Sequence, residues 1–183
     1  MQTFLRESDQ EERCFQYGRS TANQRIESWW GILRKENAEF WMALFHELQG
    51  QGHFSGEEKD KELIRFCFMP LIQNELDEVA QLWNVHGIRR YNNTNLNHGR
   101  PIMMYSMPAI FDAEYFLCDV DDTKVETCME HCIFKSDYPC ADKDMYDLCC
   151  ILMDEHCLFL PCNPEEGRDL YVTLRRIMNG LLD

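Results

Sequence analysis

The chain has 183 residues, of which 45% are hydrophobic, so it can form a folded core and is not a wholly disordered protein. A net charge of −14 excludes nucleic-acid binding through a broad cationic surface, because such binding needs many basic contacts to phosphate. No apolar run approaches the length of about 18 residues that spans a membrane, and the N-terminal MQTFLRESDQ lacks a signal-peptide pattern. We therefore expect an intracellular protein that does not enter a membrane.

Residues 18–35, GRSTANQRIESWWGILRK, have the pattern of an amphipathic helix. At about 100° per residue, Asn23, Glu27 and Arg34 fall along one edge of this helix. The adjoining arc is apolar and is expected to be buried. It consists of Ile26, Trp29, Trp30 and Leu33.

This stretch resembles the last catalytic helix of the integrase core, the RNase H-like domain of retroviral integrases and related transposases. Glu27 matches the final acid of the family's D, D, E triad. The resemblance therefore implies that Glu27 is a catalytic residue and a metal ligand. Asn23 matches a polar position that meets the DNA end, and Arg34 matches a basic position that meets phosphate.

The resemblance continues through Trp83, Arg89 and the tripeptide Gly99-Arg100-Pro101, and it covers residues 1–110. It is strongest to the integrase core domains found as host genes in animal genomes. Together with the local basic clusters, it gives a set of candidate nucleic-acid-binding residues: Asn23, Arg25, Arg34, Lys35, Arg89 and Arg100. The alternative is that these arginines are ordinary solvated surface residues.

The integrase reaction requires two divalent ions, whose charge is balanced by about three carboxylates. The acids before Glu27 lie in a polar stretch without a strand pattern; they are Glu7, Asp9, Glu11 and Glu12. We therefore expect the chain to be the C-terminal part of an integrase core and not to catalyse DNA strand transfer on its own. Mg²⁺ or Mn²⁺ would bind only if the missing acids were supplied.

Further helices are expected after this stretch. Apolar residues at helical spacing predict one helix over residues 40–48. A second, long helix is predicted to begin at the capping-box sequence Ser55–Glu58 and to run to about Trp83. Whether the first of these continues the motif helix or follows a break near Asn37 is open. Pro70 is expected to kink or split the long helix, since proline removes a backbone donor. The Asn-rich residues 91–99 predict a loop.

The C-terminal part, residues 111–183, is acidic and rich in cysteine. Helix-capping residues predict three helices in it, which begin near Asp119 or Asp121, near Asp142 and near Asn163. We therefore predict a mostly α fold, with residues 1–110 as the helical remainder of an RNase H-like integrase core and residues 111–183 as a small helical segment.

The ten cysteines are expected to be reduced thiols, most of them packed as small hydrophobes. A zinc site is the weaker alternative, because no C-x-x-C pair occurs in the sequence. Two sets could supply the four ligands of such a site. They are Cys128, His131, Cys132 and Cys140, or Cys149, Cys150, His156, Cys157 and Cys162.

Two functions remain open at this point. In the first, the chain is an integrase-core-derived protein that contacts DNA through a local basic patch, which would place it in the nucleus. In the second, it is a host interaction module that binds a protein partner or itself through exposed helices, and its catalytic helix is vestigial. A fragment without an independent function is a third alternative.

Overall fold

The computed structural model describes residues 2–5, 24–90, 98–113, 119–134 and 136–182. The chain forms two compact units, and each is described by itself. The first comprises residues 1–57 and 119–135, and the second comprises residues 58–118 and 136–183. Both units draw on the two sides of the predicted boundary at residue 110. The predicted boundary rests on the extent of the family resemblance and on the change in composition after residue 110, and it stays a prediction.

The predicted mostly α class is confirmed. Within the described ranges the regular structure is helical, and the only β pairing recorded there is a single bridge between Ile88 and Gly99. The helices are α1 (Gln2–Leu5), α2 (Gln24–Leu33), α3 (Glu39–Gly50), α4 (Glu58–Val85), α5 (Pro101–Ser106), α6 (Asp122–Glu130), α7 (Lys143–Glu155) and α8 (Pro164–Leu182). None of these helices is both long and apolar enough to cross a membrane.

In the first unit, α2 continues into α3 through a π-helical turn, Arg34–Ala38. The amide of Glu39 donates to the carbonyl of Arg34, five residues earlier, which closes the wider ring of a π turn. Of the two alternatives for this region, the continuous helix is correct. The turn contains Asn37, the position at which a break was considered.

The expected burial of the α2 aromatic side is wrong for two of its residues. Ile26 and Trp30 are exposed, Trp30 by 53%, whereas Trp29 and Leu33 are half-buried. Trp30 packs edge-on against its neighbour Trp29, with ring centroids 4.8 Å apart. Helical periodicity identifies the apolar face of a helix, but it does not establish that another element covers that face.

The second unit is built around α4. The side chains of Leu63, Phe66, Cys67 and Phe68 are almost fully buried there. Pro70 lies in the same helix but is exposed, and it does not split α4. The helix survives because the buried residues immediately before Pro70 fix the backbone by tertiary packing, which outweighs the loss of one hydrogen bond.

A buried ion pair joins α4 to α8. Asp60 is fully buried, and its carboxylate accepts hydrogen bonds from Nε of Arg175 at 2.8 Å and from Nη2 at 3.3 Å. This two-point geometry satisfies both oxygens of a carboxylate that would otherwise be costly to bury. Phe68 and Tyr171 extend the same contact, with ring centroids 6.2 Å apart.

A second buried carboxylate joins α4 to the turn before α7. Glu62 accepts from the backbone amides of Ala141 at 2.8 Å and Asp142 at 3.3 Å, and it also pairs with Arg65. The Cys140 thiol donates to the backbone carbonyl of Glu62 over 3.7 Å. One helix thereby positions two later parts of the chain through two neighbouring acids.

The three predicted starts of the C-terminal helices are confirmed. Asp121 accepts from the Thr123 amide at 2.8 Å, and Asp142 accepts from the Asp144 amide at 3.0 Å. At α8, Asn163 accepts from the Glu166 amide at 2.9 Å. These bonds satisfy backbone donors that have no partner within their own helix.

Two glycines of α8 should respond in opposite ways to replacement by alanine. A Cβ atom at Gly167 would lie 2.9 Å from the Phe68 ring, whereas one at Gly180 would meet no atom within 4 Å. We expect Gly167→Ala to lower the free energy of unfolding by about 1–3 kcal/mol through overpacking. Gly180→Ala should raise it slightly, by up to about 1 kcal/mol, because alanine favours helix. Urea denaturation measures both, and equal effects would contradict the close packing of α4 on α8.

Replacing Arg175 by methionine should remove the guanidinium that binds both oxygens of the buried Asp60 carboxylate. We expect Arg175→Met to lower the free energy of unfolding by about 3 kcal/mol or more. Lys61→Ala is the control, because Lys61 pairs with Glu58 at 2.9 Å on the exposed side of the same helix, where such pairs contribute about 0.5 kcal/mol. A loss below about 1 kcal/mol for Arg175→Met, measured by urea denaturation, would contradict the role of this pair.

Candidate nucleic-acid interface

The first group of candidate residues lies on α2 and the π turn. Glu27 is exposed on α2, and Arg34 and Lys35 are exposed within the turn. Glu27 and Arg34 are seven residues apart, which places them about two turns apart along one edge of the helix. The expected edge of Glu27 and Arg34 is therefore present and open to solvent.

The other two candidate residues of this group are Asn23 and Arg25. Asn23 is outside the described residues, and Arg25 belongs to α2 without a described side chain. Their predicted contacts to nucleic acid therefore stay predictions. The π turn itself is of interest, because such insertions widen a helix locally and recur at functional sites. Here the turn begins at Arg34 and includes Lys35.

The second group lies in the other unit, at the bridge between Ile88 and Gly99. The amide of Ile88 donates to the Gly99 carbonyl at 2.9 Å, and the Gly99 amide donates to the Ile88 carbonyl at 3.1 Å. This reciprocal pair brings together two candidate arginines that are distant in sequence, Arg89 and Arg100. Most of the predicted loop over residues 91–99 lies outside the described residues.

Arg89 and Arg100 each follow a paired position of the bridge. A residue that follows a paired position projects to the opposite side of the extended backbone from its paired neighbour. Both arginines are exposed, and so is Arg90. Three exposed arginines therefore lie next to this bridge in the chain; we call them the bridge site and define it as Arg89, Arg90 and Arg100.

Gly99 makes this arrangement possible. Its φ of +136° lies in a region that favours glycine, and a Cβ atom there would lie 3.1 Å from the ring of Phe111. Phe111 ends the short 3₁₀ turn Pro108–Phe111 that follows α5. The glycine thus allows the backbone to pass close to the ring and to hold the reciprocal hydrogen bonds.

The described residues do not fit the divalent ions of the integrase reaction. A single carboxylate, Glu27, stands on α2, and no group of three or more His, Cys, Asp or Glu side chains within the described ranges is arranged to hold a metal ion. Magnesium and manganese require several oxygen ligands. The roles of Glu27 as catalytic acid and metal ligand stay predictions.

The described residues do not form a zinc site either. No three of the Cys and His side chains in the two alternative sets are arranged there to hold a metal ion. Burial raises the pKa of the Cys140 and Cys149 thiols to about 12, and it raises the pKa of Cys67 well above its usual value. These three cysteines are neutral core residues, as expected. Cys128 and Cys150 are half-buried, and Cys132, Cys157 and Cys162 are exposed thiols.

Sequence reasoning missed the structural basis of the bridge site. It identified Arg89 and Arg100 through the resemblance, but not the pairing that joins them. The glycine immediately before Arg100 was the available signal, since an isolated glycine often marks a close backbone approach or a positive φ. No sequence pattern indicates that the Phe111 ring lies against Gly99, because this contact depends on the path of the chain after α5.

Comparison with known proteins gives one informative result. A family model described as integrase core domain matches residues 2–106, which is more than half of the chain. The match contains α2, α3, α4 and the bridge site. Searches of curated proteins and of solved structures give no match.

Alanine at Gly99 should disrupt the bridge. We expect Gly99→Ala to lower the hydrogen-exchange protection of the Ile88 amide about tenfold or more, because an unfavourable φ costs on the order of 1–3 kcal/mol. Gly87→Ala is the control, since a Cβ atom there meets no atom within 4 Å. Unchanged protection in Gly99→Ala would show that the bridge does not depend on this glycine.

Proposed function

The chain belongs to the integrase core domain family, and from this premise we propose that it contacts DNA through small local basic sites without catalysing strand transfer itself. The bridge site is the main contact. The exposed basic residues of the π turn, Arg34 and Lys35, form the other one, and Arg25 and Asn23 precede them in the same predicted helix.

The observation that carries this proposal is the backbone pairing of Ile88 with Gly99. It holds Arg89 and Arg100 beside each other on a short, fixed base, although ten residues separate them in the chain. Guanidinium groups bind phosphate through paired, charge-assisted hydrogen bonds, which makes arginine well suited to such a site.

Charge limits the strength of this contact. Residues 111–183 carry a net charge of −11, and residues 1–110 carry −3, so the chain as a whole repels a phosphate backbone. Binding would therefore be weak, strongly dependent on salt and confined to the basic sites. Such local contact suits a protein that binds DNA alongside other components better than one that coats it.

The proposal does not include catalysis, because the integrase reaction needs a set of acids that the described residues do not bring together around Glu27. If further acids joined Glu27, they would hold Mg²⁺ or Mn²⁺ there. A DNA-binding role would also place the protein in the nucleus. DNA strand transfer by the chain with Mg²⁺ or Mn²⁺, abolished by Glu27→Gln, would overturn the non-catalytic part of the proposal.

Alanine variants of the basic sites test the proposal. We expect the chain to bind duplex DNA at low salt, and we expect Arg89→Ala with Arg100→Ala to weaken binding. The slope of log affinity against log salt should fall by about 2, since each phosphate contact contributes about 0.9. The triple variant Arg25→Ala, Arg34→Ala, Lys35→Ala should also weaken binding. Fluorescence anisotropy of a labelled duplex measures these effects.

Arg176→Ala is the control, because Arg176 is an exposed arginine of α8 outside both basic sites. Loss of binding in this variant equal to that in the bridge-site variant would indicate a general charge effect. Absence of DNA binding at low salt would contradict the proposal.

A second function, that of a protein interaction module, is favoured by the exposed apolar residues of the first unit. Ile26, Trp30 and Ile32 are exposed on α2, and Phe40 and Met42 are exposed on α3. Exposed aromatic and aliphatic groups of this kind are typical of surfaces that contact another protein. A chain that is indifferent to DNA but forms a stable complex with a protein would support this function over the first.

A further inference from the structure

Helix α7 has a second apolar surface in addition to its buried one. Cys149, Leu152 and Met153 are buried on the inner side. Leu148 and Ile151 are exposed on the other, and Ile151 is exposed by 54%. The core of the second unit therefore does not explain why these two positions are apolar.

The exposed pair belongs to an ordered stripe. Asp144, Leu148, Ile151 and Glu155 follow one another at helical spacing, and at about 100° per residue they lie within roughly 60° of one another. All four side chains are exposed. The stripe thus has two apolar residues at its centre and one carboxylate beyond each end, and we call these four residues the α7 stripe.

The surroundings of the stripe carry further negative charge. Asp147 and Asp154 are exposed beside it on the solvent side of α7. The single basic residue of α7 is Lys143, which is 3.8 Å from the carboxylate of Asp147. Any partner that covers Leu148 and Ile151 would therefore lie within reach of several carboxylates.

The apolar surface continues after the helix. Cys157 has a φ of +52°, and the Leu158 amide donates to the Met153 carbonyl at 2.9 Å, a pattern that ends the helix and fixes the direction of the chain. The next two residues are Phe159 and Leu160, which are exposed by 85% and 62%. A large aromatic residue and a leucine are thus presented close to the end of α7.

We propose that the α7 stripe, with Phe159 and Leu160, binds a basic amphipathic helix of another protein. Its apolar residues would pack on Leu148 and Ile151, and its lysines or arginines would meet the carboxylates beyond each end. Charge complementarity selects this partner. DNA would be repelled by the same acids, and a second copy of the chain carries the same charge of −14.

This surface does not depend on the proposed DNA contact, since it shares no residue with the bridge site or the π turn. A synthetic peptide of leucine, lysine and alanine, about sixteen residues long and with leucines at helical spacing, is a suitable probe. We expect the full chain to bind it, as measured by fluorescence anisotropy of the labelled peptide. A scrambled peptide of equal composition should bind at least about tenfold more weakly, because it lacks the apolar face.

Two variants of the chain test the location of binding. Ile151→Ser should weaken peptide binding about tenfold, since a buried isoleucine contributes that much or more to affinity. Leu82→Ser is its control, because Leu82 is also an exposed helical residue of the second unit, at 69%. Circular dichroism and thermal denaturation confirm that each variant folds.

Charge variants test the remaining part of the proposal. Asp144→Asn with Glu155→Gln should weaken binding and reduce its salt dependence. Glu126→Gln with Glu130→Gln changes the net charge equally on another exposed helix, α6, and should have a smaller effect. Equal effects of the two double variants, binding unchanged by Ile151→Ser, or no binding of the peptide would each overturn the proposal. Self-association of the chain that Ile151→Ser abolishes would also overturn it, in favour of a second copy as the occupant.

Discussion

Two buried carboxylates, two residues apart on α4, hold the second unit together. Asp60 binds the guanidinium of Arg175 on α8, and Glu62 binds the backbone amides of the turn before α7. An unpaired buried carboxylate is costly, so each acid is compatible only with the arrangement that satisfies it. The position of the two C-terminal helices on α4 therefore follows from polar contacts as well as from apolar packing.

The helices of this protein could be predicted from sequence because their signals are local. The caps at Asp121, Asp142 and Asn163 and the apolar periodicity of α4 each involve residues within a few turns of one another. Such short-range signals survive in a single sequence. They gave the correct class and the correct starts of the C-terminal helices.

The failures concern contacts between distant parts of the chain. The sequence of α2 shows an apolar side but not that Ile26 and Trp30 remain exposed. Nothing local in α4 distinguishes the buried Asp60 from the exposed Glu58, since their roles depend on Arg175 more than a hundred residues later. The arginines of the bridge site could be predicted as a local basic cluster, but not the pairing of Ile88 with Gly99, which is also non-local.

Electrostatics gives the two proposed surfaces opposite preferences. The bridge site concentrates three exposed arginines in an otherwise acidic chain, which favours a short contact with phosphate. The α7 stripe places apolar residues among carboxylates, which favours a basic polypeptide and excludes DNA. With both proposed surfaces, this member of the integrase core domain family would join a nucleic acid to a protein.

Hydrogen exchange of the chain with and without duplex DNA at low salt tests this account most directly. DNA should slow exchange in the segments around residues 34–38 and 88–100, and it should leave residues 143–160 unchanged. Protection of residues 143–160 by DNA, or no protection at residues 88–100, would contradict the assignment of the bridge site as the place where the protein meets DNA.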